Sequence, residues 1–223
     1  MTLTSAQIAP AVIWVALFFL VSGPVHECAH AFTAWRNGDK TAKLFGRVSL
    51  DPIVHFDPMG GTLLIVSAAL NMLSGGVGGL GWAKPTPVNP LNLRGRFAET
   101  KVAAAGPLSN LLLACVFAFG VRICLNNGLV PLTTSPGNMV ALVCWTGVEL
   151  NVWLMLFNLV PVAPLDGSHV LFDLLDPATS RSARQFMDQY GLILLVLVIF
   201  FAGRFLAPIA NPIISMLTGV PIY

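Results

Sequence analysis

Charge is scarce in this 223-residue sequence: Asp, Glu, Lys and Arg make up 10% of it, against about 25% in an ordinary soluble domain. With 56% apolar residues, the composition belongs to a bilayer. A net charge of +2, with the basic residues scattered through short loops, excludes a nucleic-acid partner. No Ser-rich, Pro-rich or charge-run linker interrupts the chain, so residues 1–223 read as one integral membrane domain, and no repeat of 20 to 50 residues is present. The four cysteines, Cys28, Cys115, Cys124 and Cys144, lie in or beside apolar runs without CxxC spacing and read as buried free thiols. No Lys or Arg precedes the first apolar run, Ile8 to Val25, and charged chemistry follows it directly, so it reads as a retained membrane helix and not as a signal peptide.

What is present is hydrophobic length. Four stretches can supply the roughly 20 apolar residues that a span needs: Ile8 to Trp35, Val102 to Leu125, Val140 to Val160 and Tyr190 to Leu206. A fifth, Met59 to Leu80, contains Gly60, Gly61 and the run from Gly75 to Gly81, which weakens it as a regular helix. The tail from Pro208 carries three prolines and is too short to span straight. Pro85, Pro87 and Pro90 force the loop Gly81 to Pro90 into extended backbone. The expected fold is an all-α polytopic membrane protein: four to six transmembrane helices, a re-entrant or interfacial segment, and short β-hairpin elements near the site.

Chemistry concentrates at His26-Glu27-Cys28-Ala29-His30. On a helix, positions i and i+4 share a face, so both imidazoles reach one ion, while Glu27 projects nearby and can take a proton from metal-bound water. These groups follow about 27 Å of apolar helix, near the far edge of a roughly 30 Å hydrocarbon core, where ionisable side chains are costly and usually functional. Gly23 and Pro24 mark a kink just before them. A catalytic zinc needs a third protein ligand. Asp166 is the best candidate, at a helix end where Pro161 and Pro164 stop the helix and Gly167 permits a turn, although Asp-Gly is also ordinary turn chemistry. His55 and His169 are the rival nitrogen ligands. Glu149 and Asn151 lie inside an apolar stretch, where they need partners or water.

HECAH, then AGPLSN at Ala105 to Asn110, then NLVPVAPLDG at Asn158 to Gly167 together resemble the site-2 protease family of intramembrane metalloproteases. The segments His55 to Gly60 and GWAKPTPVNP are similar to its compact bacterial branch, without PDZ or CBS modules. The resemblance implies one zinc per chain on His26, His30 and Asp166, with Glu27 as general base and acid. It further implies that Asn110 positions the substrate; His55 joins it as a second candidate for touching substrate. The expected activity is zinc-dependent hydrolysis of membrane-spanning or membrane-anchored proteins in the lipid bilayer. A metal-ion carrier, the rival reading, would show half-helices in two repeats, and a catalytically silent relative would lack a ligand or Glu27; neither is seen.

Shared zinc ligands require the helix ending near His26 and the one ending before Asp166 to run the same way. Residues 36–101 then begin and finish on one side, which carries ten of the twelve basic residues, all but Arg122 and Arg204. By the positive-inside rule that side, with the site near it, is cytoplasmic, and the N-terminus faces outward.

Overall fold

The computed structural model describes residues 5–74, 76–130 and 136–222. Helix α1 (Ser5–Leu17) continues through a π-helical turn, Phe18–Ser22, into α2 (Gly23–Arg36). The wide turn has a local cause. Pro24 lacks an N–H and its ring would press on the carbonyl one turn back, and the Gly23 N–H instead reaches five residues back to the Phe18 carbonyl. The bend predicted at Gly23-Pro24 therefore takes the form of a bulge ending four residues before His26.

After the short α3 (Thr41–Leu44), helix α4 (Pro58–Leu73) starts where the Asp57 carboxylate accepts from the Met59 and Gly60 amides. At about 24 Å it is shorter than a hydrocarbon core. The chain beyond it returns along its flank: Asn71 Nδ2 donates to the Val77 carbonyl, the Leu80 amide donates to Ser67 Oγ, and Trp82 lies against Gly60. The return packs so closely that a Cβ on Gly79 would stand 2.7 Å from the Leu64 carbonyl oxygen.

The remaining helices are α5 (Ala98–Asn126), α6 (Pro136–Asn158), α7 (Asp166–Leu174) and α8 (Pro177–Thr218). Among the described residues, four helices are long and apolar enough to cross a membrane: Ile8–Arg36, Ala98–Asn126, Asn138–Asn158 and Pro177–Thr218. Helix α5 packs on α2, α6 and α7. Its buried Ala114 and Ala118, with Ala210 on α8, let three helices approach around Val121, Val148, Val152 and Ile214. Trp14, Phe18, Leu64 and Leu150 make a second core joining α1, α4 and α6. Leu112, Val116 and Phe119 on α5, and Leu192, Phe200 and Phe205 on α8, face outward, as lipid-facing residues do.

Three expectations change. No strand occurs among the described residues, so the elements near the site are 3₁₀ turns and extended loop, not β-hairpins. Pro208 and Pro212 do not end the last helix, which continues to Thr218 and closes on Gly219 at φ 79°. Only Cys124 of the four thiols is buried; Cys115 is exposed.

Candidate metal centre and active site

Three elements bring the site together. Helix α2 presents His26 and His30 on one face, their rings edge to face at 4.6 Å. Asp166 opens α7, after the turn from Leu159 to Leu165 has brought the chain back across α5. Gly167 allows that turn, since a Cβ there would lie 2.6 Å from the Val160 carbonyl oxygen. Gly106 allows α5 to approach, since its Cβ would stand 2.6 Å from His26 Nε2 and closer still to His30 Nε2.

The three donor atoms form a near-equilateral triangle. His26 Nε2 and His30 Nε2 are 3.0 Å apart, and Asp166 Oδ2 lies 3.2 Å from the first and 3.4 Å from the second. Ligands about 2.1 Å from one tetrahedral ion stand about 3.4 Å from each other, so the three atoms have the spacing that one face of a tetrahedral zinc site would need. The hydrogen bonds agree. His30 Nδ1 lies 2.7 Å from the Val102 carbonyl, which can only accept, so in the neutral ring the proton is on Nδ1 and Nε2 is a bare lone pair. His26 Nδ1 lies 2.6 Å from Asn110 Oδ1, with the same consequence. Asp166 Oδ2 is buried and satisfied by no hydrogen bond. Two imidazole nitrogens and a carboxylate oxygen converging in a buried site could hold a metal ion, and the donor set fits zinc.

The triangle opens on a cavity of about 770 Å³ lined by Glu27, Trp82, Thr86, Phe157, His169 and Leu195, among others. The sequence pattern does not foretell how Glu27 is held: the Thr86 amide donates to its Oε2 at 2.8 Å, and Thr86 Oγ1 donates to its carbonyl at 2.9 Å. Between two prolines, Thr86 has the one backbone N–H of the Pro85–Pro87 segment, and that flanking was the available signal.

Other candidates lie elsewhere. The carboxamide of Asn110, expected to position substrate, is fully buried between His26 and Asn151. His55, also expected near substrate, is buried with Nε2 2.8 Å from the Ser49 carbonyl, while its own carbonyl accepts from Lys84, so it braces two loops. His169 pairs with Glu99 at 3.0 Å, and Glu99 also binds Arg184, tying α7 to α5 and α8. Glu149 lines a second cavity of about 630 Å³, which shares Phe18, Leu80, Gly81, Leu154, Phe157 and Ile199 with the first.

Comparison with known proteins agrees with this chemistry. The family model for peptidase family M50 matches residues 14–135 and 128–202. The chain is 37% identical over 202 residues to a Bacillus subtilis (strain 168) protein named "Putative zinc metalloprotease YwhC", covering 89% of this chain and 86% of that one. It is 32% identical over 200 residues to "Putative zinc metalloprotease Rip2" of Mycobacterium tuberculosis (strain Erdman), covering 86% of this chain and 66% of the relative. A shorter similarity, 35% over 71 residues, links it to "Putative zinc metalloprotease MJ0611" of Methanocaldococcus jannaschii, covering 32% of each chain. No solved structure matches.

Proposed function

Because this chain belongs to peptidase family M50, the zinc-dependent site-2 protease family, we propose that it hydrolyses peptide bonds of membrane-spanning or membrane-anchored proteins within or beside the bilayer. The observation that carries this reading is the donor triangle with edges of 3.0 to 3.4 Å, set among apolar helices and open to a cavity that Glu27 lines.

His26, His30 and Asp166 hold the ion, which when bound supplies Lewis acidity for an amide carbonyl and for water. Glu27 carries the proton transfers. Its carboxylate accepts the proton of the attacking water and returns it to the leaving amine, and the Thr86 amide keeps Oε2 in place while the other oxygen works. A helical substrate hides its carbonyls in i to i−4 bonds, so cleavage requires local unwinding, which the extended Gly81–Pro90 loop beside the cavity leaves room for.

The same geometry supports a topology. Because α2 and the end of α6 deliver their groups to one point and α5 runs between them, residues 36–101 lie on one face, with α4 and its return entering and leaving there. The basic residues make that face cytoplasmic.

The test is cleavage of a panel of single-span proteins by the purified enzyme and by Glu27→Gln. The wild type should cut in or beside the span, and the variant should bind zinc equally yet lose nearly all cleavage. Substantial cutting by Glu27→Gln, with contaminating proteases excluded, would overturn the role of Glu27. Cleavage confined to soluble peptides would overturn the substrate class.

A further inference from the structure

We propose that Asn151 is a positioning residue of the metal site, acting through Asn110 to fix the ring orientation and tautomer of His26. The inference rests on the reading of His26 as a zinc ligand.

The bonds run in one direction across three helices. Asn151 Nδ2 donates to the Gly147 carbonyl at 2.8 Å, Asn110 Nδ2 donates to Asn151 Oδ1 at 2.9 Å, and His26 Nδ1 meets Asn110 Oδ1 at 2.6 Å. The Gly147 carbonyl can only accept, so it decides the rest. It holds the amide nitrogen of Asn151, which turns the Asn151 oxygen toward Asn110. Asn110 must answer with its nitrogen, which turns its own oxygen toward His26. His26 must then carry its proton on Nδ1, leaving Nε2 bare and aimed at the position shared with His30 and Asp166.

Packing does not require an amide at position 151. Its neighbours Leu150 and Val152 are fully buried apolar residues, and Asn151, itself 0% exposed, sits in a mostly apolar membrane helix. A polar side chain there is tolerated only when every one of its groups is satisfied, and the groups that satisfy it lead to His26. His30 reaches the same end in one step, with Nδ1 directly on the Val102 carbonyl. Both imidazoles are thus referred to main-chain carbonyls, His30 directly and His26 through two carboxamides that bridge α2 to α6. Outer partners of ligating histidines are worth about 10- to 100-fold in metal affinity.

The experiment measures zinc affinity of the purified full-length protein by competition with a chromophoric chelator, alongside the visible spectrum of the cobalt-loaded form. Asn110→Ala and Asn151→Ala should each weaken zinc binding about 10- to 100-fold and alter the cobalt bands. The double variant should bind no more weakly than Asn110→Ala alone, because the second residue works only through the first. Asn151→Asp, whose neutral carboxyl supplies both an acceptor and a donor, should stay within about threefold of wild type, and it serves if Asn151→Ala does not fold. Thr146→Val, a buried polar position on the same helix outside the relay, should leave affinity unchanged. Wild-type affinity in Asn151→Ala, multiplied losses in the double variant, or a loss in Asn151→Asp as large as in Asn110→Ala would overturn the relay. Undiminished zinc binding by both His26→Ala and Asp166→Ala would instead sink the underlying assignment of the ligands.

Discussion

Replacing Gly106 by alanine tests the metal centre with the smallest available change. The added Cβ would stand 2.6 Å from both Nε2 and Cε1 of His26, about 1 Å inside ordinary contact. The rings cannot retreat cheaply. Nδ1 of His26 is held by Asn110 and Nδ1 of His30 by the Val102 carbonyl, and both partners belong to α5, the helix that carries Gly106. Any motion that relieves the overlap therefore breaks a bond that orients a ligand. Overpacking of this kind costs about 2–3 kcal/mol, which taken from metal binding is a loss of about 30- to 150-fold. The helix itself prefers alanine to glycine by about 1 kcal/mol, so helical content should stay at the wild-type level. The expected result is a protein with wild-type far-UV circular dichroism, sharply reduced zinc by elemental analysis, and weakened affinity in chelator competition. Wild-type zinc affinity in Gly106→Ala would refute the placement of the ion between these groups.

Asp166→Ala should abolish stoichiometric zinc, whereas His169→Ala, which breaks the tie to Glu99, should retain it; full zinc in Asp166→Ala by elemental analysis would remove that residue from the site. Asp39 is buried, which opposes its charge, yet donors from Thr41, Asn89 and Asn92 hold its carboxyl below the ordinary range. Because its folded pKa is depressed, its stabilisation is fully present above the unfolded value of about 3.9 and is lost as pH falls through the folded one. Asp39→Asn should therefore be less stable than wild type at pH 7 by about 2–3 kcal/mol in denaturant unfolding, with the gap narrowing in acid; an equal gap at pH 3 would refute the charge as its source. Single-cysteine labelling in a cysteine-free background, with impermeant reagent on intact cells, should find positions 40 and 92 protected and positions 2 and 130 reactive. Opposite exposure of 40 and 92 would refute the shared face.

The sequence by itself determined whatever depends on neighbours along the chain. Residues 26, 27 and 30 had to present two imidazoles on one face with a carboxylate beside them, because helix periodicity admits no other arrangement. Apolar length fixed the four long helices, and Pro24 fixed the irregular turn before the site. Tertiary structure alone decided the contacts between residues far apart. That Asp166 Oδ2 stands 3.2 Å from His26 follows from how α5 and α6 pack, which no local pattern encodes. Packing also decided the partners of Asn110 and His55, setting one against His26 and the other between two loops. Thr86 and Gly106 carried no chemical signal of their own, because one acts through a backbone amide and the other through the absence of a side chain. The last helix runs through Pro208 and Pro212 although prolines ordinarily stop helices, because a chain packed among membrane helices has no water to replace the backbone bonds it would give up.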